Sequence, residues 1–466
     1  MLEEQFAEAK ETQPELLAYH YTEAGLSAQA IPYWQRAGEK TAQRSAYVEA
    51  IGHLTRGLDL LKALPDTPQR AQQELTLQIA LSAPLIATKG WATPELEKAC
   101  ARARELCQQV GETFQLFPVL WGLAAFYRQR AEHKTAHELA EQYMRLAQSL
   151  QDPTLLLEAH QGLGVTSYWL GEVAPSLEHF EQGFALYDPQ QHSSLTFIYG
   201  QDPGMTCLCY GACALWLLGY PDQALKRVNE ALRLAEELSH PFMVVYARHM
   251  LATVYQFRRE EQLAQEQVEA AMTLSMEQGF PFFLAWATVQ QGSLLITQGK
   301  TEEGIAQIRQ GTAAWQAMGS ELGRPSALTL LAEAYGKAGR TEEGLTLLAE
   351  ALDLVHKTDA RVQEPQLYRL KGELTLKQSS VQSLESSVQK EAEDCFRKAI
   401  EITRRQSAKS LELRAVMSLS RLWQSQGKKE EARQMLAEIY GWFTEGFDTA
   451  DLQEAKALLN SLESRV

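Results

Sequence analysis

Long apolar runs are missing from this sequence. Its richest stretch, Gly211 to Tyr220, falls short of the roughly 18 residues that a membrane span needs. The N-terminus, Met-Leu-Glu-Glu-Gln-Phe, is acidic and lacks the apolar core of a signal peptide. Cysteine is scarce: six in 466 residues make no disulfide framework, so a reducing, cytoplasmic setting is expected. Cations are in deficit, 44 Lys and Arg against 59 Asp and Glu, and the formal charge of -15 repels a phosphate backbone. Neither nucleic acid nor a membrane is therefore an expected partner. Period-two alternation of Val, Ile and Thr is nearly absent, whereas Leu, Ala, Glu and Gln abound, which favours helix throughout.

What the sequence does have is repetition. Gly299-Lys-Thr-Glu-Glu-Gly304 returns as Gly339-Arg-Thr-Glu-Glu-Gly344, 40 residues later. Equivalent positions run Leu96, Ala136, Ser176, Ala224, Ala264, Gly304, Gly344, Ala392 and Ala432, spaced by 40 except for two steps of 48. A period of this length marks a repeat array. Four and seven residues after each anchor stand apolar or small residues, such as Val268 and Ala271, which makes one helix face. Twelve residues before most anchors is another small residue (Gly164, Ala252, Gly292, Ala332), which predicts close approach of two antiparallel helices. Gly171, Gly219, Gly299, Gly339 and Gly427 sit where the first helix of a pair must end in a left-handed residue. Pro153, Pro203, Pro241, Pro281, Pro325 and Pro365 sit where first helices begin.

The predicted fold is all-α: a right-handed superhelical solenoid of antiparallel helix pairs, in nine 40-residue units. The pattern Ala332, Tyr335, Gly339, Gly344, Leu348, Ala351 resembles the tetratricopeptide repeat. The usual tetratricopeptide period is about 34, and armadillo and HEAT repeats have periods nearer to this one. The spacing of turn glycine and following small residue favours tetratricopeptide-like packing. The chain divides into a three-helix lead-in over 1–65, the solenoid over 66–441 and a capping helix over 442–466, with Asp448 as a good N-cap. Two insertions, 188–203 and 378–389, account for the longer steps. The first holds Phe197, Ile198 and Tyr199 and is expected to fold back on the solenoid; the second is serine-rich and reads as a mobile loop.

Catalytic motifs are also lacking. Gly299-Lys300-Thr301 ends like a phosphate-binding loop, but Leu294 stands where its first glycine belongs and no strand precedes it. Cys207, Cys209 and Cys213 share one helix without a fourth metal ligand at suitable spacing, and read as small buried residues. His133 and His137 lack the glutamate of a metalloprotease pair and read as a solvated turn. No enzyme activity, cofactor or metal is expected. Instead, the first helices should line a concave wall. In unit phase its exposed positions include Trp121, Arg128, Gln161, Tyr168, Trp169, Cys209, Cys213, Trp216, Tyr246, His249, Gln256, Phe257 and Trp286. Glu333, Lys337, Arg414 and Arg421 make the later part of the wall charged. Aromatic and amide side chains in a concavity suit a protein, peptide or small-molecule inducer.

Stretches such as YGQDPGMTCLCYGACALWLLGYPDQAL (199–225) and WFTEGFDTADLQEAKALL (442–459), with others at 20–54 and 74–107, resemble the C-terminal repeat region of bacterial STAND-type signalling ATPases. Such proteins are often fused to a nucleotide cyclase, and the repeat domain of the maltose-regulon transcriptional activator is similar. The resemblance implies a non-catalytic sensor that contacts an ATPase module in the full-length protein. It further implies that 1–65 is the arm that joined the two, and that the chain is an excised sensor or a stand-alone relic. A stand-alone scaffold for protein assembly is the alternative.

Overall fold

Glycine and proline punctuate the structure as helix physics requires. The computed structural model describes residues 12–111, 114–378 and 385–463, and helices with short turns make up its regular structure. Gly171, Gly219, Gly299, Gly339 and Gly427 have φ of +81°, +95°, +84°, +77° and +82°. Each closes the first helix of a pair in the conformation that a Cβ disfavours. Helices Pro153–Leu170, Pro203–Leu218, Pro241–Arg258 and Pro281–Thr297 start on proline, where the missing N–H leaves no bond unmade.

Packing follows the repeat phase. In helix Glu261–Gln278, Ala264, Val268 and Ala271 are fully buried. Helices Pro281–Thr297 and Thr301–Ala317 touch backbone to backbone: a Cβ on Gly292 would lie 2.7 Å from the Gly304 carbonyl oxygen, and one on Gly304 2.6 Å from that of Gly292. Farther along the same pair, a Cβ on Gly311 would lie 2.6 Å from the Ala285 carbonyl oxygen.

The first unit departs from the regular pair. Its first helix is split into Pro68–Ala80 and Ser82–Lys89, because Pro84 cannot donate to the carbonyl one turn earlier in an unbroken helix. Three helices, Pro14–Glu23, Ser27–Gln43 and Tyr47–Leu61, precede it. Within the first insertion the chain makes short helical turns over Pro189–His192 and Thr196–Tyr199. Tyr199 is buried against Trp121, with ring centroids 5.0 Å apart. Asp202 then caps helix Pro203–Leu218 and accepts the Tyr187 hydroxyl at 2.8 Å. In the second insertion, residues 379–384 lie outside the described residues. Helix Glu385–Gln406 already includes 385–389, so that end of the expected loop is helical. The last helix is Ala450–Glu463, beginning two residues after Asp448.

The superhelix winds tightly enough for successive turns to meet. Residues about five units apart touch: Ser320 donates to the Gln129 side chain at 2.9 Å, 191 residues away, and Ser410 to the Trp216 carbonyl at 2.5 Å, 194 away. Trp91 packs edge-on against Phe282, with centroids 5.0 Å apart. Many of these contacts cap helix ends. Glu445 accepts from the backbone N–H groups of Asp222 and Gln223 at 2.9 and 3.0 Å, in the first turn of helix Pro221–Glu237. Arg414 donates to the Phe257 carbonyl at 2.8 Å, in the last turn of helix Pro241–Arg258. The seam thus satisfies groups that a lone helix leaves orphaned.

Candidate functional site

First helices from consecutive units place their inner faces around one cavity of about 710 Å³. This size lies within the range of roughly 300–1,000 Å³ typical of ligand sites. Because the turns meet along the seam, its walls come from residues as distant as Trp91 and Glu454.

Of the thirteen residues expected on the wall, ten line the cavity: Arg128, Gln161, Tyr168, Trp169, Cys213, Trp216, Tyr246, Gln256, Phe257 and Trp286. Trp121, Cys209 and His249 do not. Each is buried one layer behind, a correction that follows from side-chain length and neighbour contact. Trp121 donates its indole N–H to Gln161 Oε1 at 3.3 Å. That bond fixes which end of the Gln161 amide faces away, since an indole only donates. His249 stacks flat on Trp286, with centroids 4.9 Å apart and planes at 4°. Its Nδ1 meets Gln290 Oε1 at 2.7 Å, and Gln290 Nε2 donates to the His249 carbonyl at 3.2 Å. Cys209 is fully buried against Met205. Burial raises its thiol and also those of Cys207 and Cys213, the last to about 12, which marks them as packing groups and not nucleophiles.

Two tryptophans that line the cavity were not on the expected wall. Trp91 lies in the turn before helix Pro94–Val110, and Trp315 belongs to a second helix, Thr301–Ala317. The first-helix phase could not reveal either, because Trp91 lies in a turn and Trp315 on a second helix. Glu333, Lys337, Arg414 and Arg421 all line it, as the charged later units suggest. They are largely ion-paired: Lys337 with Glu333 at 3.0 Å, Arg414 with Asp451 at 2.7 Å, Arg421 with Glu454 at 3.3 Å. The cavity therefore combines aromatic, glutamine and ion-paired side chains, and the aromatic and charged groups meet where Arg414 lies over the Trp216 ring.

No known family model matches the chain. A comparison with curated proteins finds an uncharacterized protein of Rhizobium meliloti (strain 1021), 23% identical over 417 residues, covering 87% of this chain. The chain spans about two-fifths, 39%, of that relative's length. Among solved structures, a Rap protein complexed with competence and sporulation factor superposes with a TM-score of 0.55 at 12% identity, over 81% of this chain and 98% of the Rap chain. A STAND protein with a tetratricopeptide repeat sensor from Pyrococcus horikoshii gives a TM-score of 0.41 at 13% identity, over 83% of this chain and 55% of that one. The fold is a tetratricopeptide-like solenoid. Described residues contain no helix long and apolar enough to cross a membrane.

Behind the cavity the tetratricopeptide-like core holds polar groups that repeat packing does not explain. His133, read from sequence as part of a solvated turn, is 1% exposed, and burial pushes its imidazole down to about 4. Glu158 is fully buried, and neither carboxyl oxygen has a hydrogen-bond partner among the described residues. Burial, and then the nearby Asp202, raise its carboxyl well above the ordinary range. A raised carboxyl contributes its full share of stability below the unfolded value and loses it as pH rises through the folded one. Glu158→Met should therefore stabilise the protein at pH 7.5, by about 1–3 kcal/mol, since an unsatisfied buried polar group disappears. The gain should shrink as pH falls toward 4.5, where the unfolded carboxyl is protonated too. Urea unfolding of both proteins at pH 7.5 and pH 5 checks this; a variant less stable at both would refute it.

Proposed function

We propose that this chain is a non-catalytic sensor, whose central cavity binds a peptide or small inducer and reports occupancy through the contacts between superhelical turns. The observation that carries the reading is the cavity itself. It is walled from both turns, so a ligand in it touches segments up to roughly 360 residues apart in sequence, from Trp91 to Glu454. A ligand that bridges both turns favours the arrangement in which they are closed, and this is the differential contact that a switch requires. The Rap protein with the superposable fold was solved with competence and sporulation factor, which supports ligand binding by a solenoid of this shape. The longer relative supports a role as one part of a larger chain. An ATPase module is the proposed partner of this part, in a cytoplasmic signalling protein.

Native mass spectrometry of the purified protein tests the placement. A stoichiometric non-covalent adduct is expected, and it should be lost from Trp169→Ala/Trp216→Ala. Trp216 stacks on Phe257 with centroids 4.3 Å apart, and Trp169 is half-buried on the same wall. Loss of two such aromatic surfaces should weaken binding by about 2–4 kcal/mol. An adduct that survives the double substitution at full occupancy would remove the ligand from this wall. A symmetric dimer joined through convex faces, with no adduct, would favour the scaffold reading instead.

A further inference from the structure

Seven Arg and Lys residues line the cavity against five Asp and Glu, an excess of cations inside a chain whose net charge is -15. Most of the cations are spoken for. Arg259, Lys337, Arg369, Arg414 and Arg421 pair with carboxylates, and Lys377 reaches the Gly336 carbonyl at 3.4 Å. Arg128 is different. Its residue is 6% exposed, it borders the cavity, and it has no ion-pair or side-chain hydrogen-bond partner among the described residues.

Two acidic groups lie within reach of the same neighbours, and neither pairs with Arg128: Glu158, which acts on Tyr143, is pushed toward its protonated form by burial, and Asp359, which acts on His133, pairs with Lys134 and Arg361. Burial raises the phenols of Tyr143, Tyr210 and Tyr246, so these stay neutral, and the arginine only partly offsets that rise. His133, also within the field of Arg128, is held neutral by burial first and by the arginine second. Other buried donors face the same space. Gln161 Nε2 and Gln201 Nε2 have no partner among the described residues, and both residues border the cavity. The Tyr143 hydroxyl, within the field of Arg128, fills the space that a Gly162 Cβ would occupy, next to Gln161 in the chain. A buried guanidinium without a counter-charge is costly unless something else supplies the charge. Arginine's fork of donors matches a carboxylate or a phosphate oxygen pair.

We propose that Arg128 anchors an anion subsite inside the cavity, which takes a carboxylate or phosphate group carried by the ligand, with the amides of Gln161 and Gln201 as further donors. The subsite rests on the binding reading above and gives its ligand a chemical class.

The test uses the full chain and three quenchers of tryptophan fluorescence: neutral acrylamide, iodide and caesium. Trp169 and Trp286 are half-buried on the cavity wall, and Trp169→Phe/Trp286→Phe defines their share of the emission. For that share, the ratio of iodide to caesium quenching should exceed the ratio for free tryptophan despite the acidic surface, because a local positive site concentrates anions. Arg128→Gln should cut the iodide constant about threefold or more and leave the acrylamide constant unchanged; Arg128→Lys should keep most of it. Inorganic phosphate and acetate, added as competitors, identify which oxyanion the subsite prefers. Equal iodide quenching in wild type and Arg128→Gln, at an unchanged acrylamide constant, would overturn the subsite and leave the binding reading standing. An acrylamide constant indifferent to Trp169→Phe/Trp286→Phe would show a closed cavity, and would overturn both.

Discussion

Gly292→Val is expected to destabilise the protein by about 3 kcal/mol, near the upper end of overpacking effects. The reason is that the neighbour at the contact is backbone. A Cβ at position 292 would lie 2.7 Å from the Gly304 carbonyl oxygen, 2.8 Å from Ile308 Cγ1 and 2.9 Å from the Ile308 nitrogen. A side chain can rotate away from an intruder; a helix backbone cannot move without taking its whole unit with it. The two helices would have to separate along Pro281–Thr297 and Thr301–Ala317, where Gly311 makes the same kind of approach to Ala285. Gly52→Ala is the matched control. Gly52 lies inside helix Tyr47–Leu61 with nothing among the described residues within 4 Å of an added Cβ. Here the substitution should stabilise by about 0.5–1 kcal/mol through the unfolded chain alone. Urea midpoints of the two variants should therefore move in opposite directions. Equal shifts would mean that the close approach carries no energy. Because each unit leans on its neighbours, Gly292→Val should also split the single transition, as an array broken at one interface does.

That glycine pair shows how legible the unit was. Small residues twelve before the anchors, left-handed glycines five before and prolines at helix starts are all local requirements, so one copy of the pattern predicts the next. The candidate wall was legible for the same reason, since phase alone brings Gln161, Tyr168, Trp216, Tyr246 and Trp286 to one cavity. Phase says nothing about depth. Trp121 and His249 point the same way as their neighbours, yet a hydrogen bond to Gln161 and a stack on Trp286 hold them in the layer behind. Nor does a repeat disclose its own pitch. The seam joins residues about 190 apart through side chains such as Ser320 and Ser410, which have no counterpart at the same phase in other units. Trp91 enters the cavity by that route, and the split of the first helix at Pro84 belongs to the unit that carries it.

Arg258→Ala/Arg414→Ala should open the seam. Arg258 is 4% exposed and holds Asp222 at 2.8 Å, Glu260 at 2.7 Å and Asp448 at 3.6 Å. Arg414 lies over the Trp216 ring, 4.8 Å from its centroid, while donating to Asp451 and to the Phe257 carbonyl. Each therefore ties the end of the chain to the middle. Several of the carboxylates are half-exposed and regain water once released, so each loss should cost about 2–3 kcal/mol, less than for a fully buried pair. The two arginines share the stretch 257–258 and the segment 448–451, so the double loss should fall short of the sum. The apolar packing within the units is left in place, although Arg258 also loses its local pairs with Glu260 and Asp222, and helix content by circular dichroism should hold. What should change is shape: small-angle scattering should report a larger radius of gyration, because the two turns are no longer clasped. Added salt should push the wild-type protein the same way, through its exposed pairs. If the cavity ligand bridges the turns, it should in turn restore the compact form in wild type and bind the double variant more weakly. An unchanged radius in the variant would mean that aromatic packing at Trp91 and Phe282 holds the turns together without the charges. Occupancy could then not be transmitted through the seam.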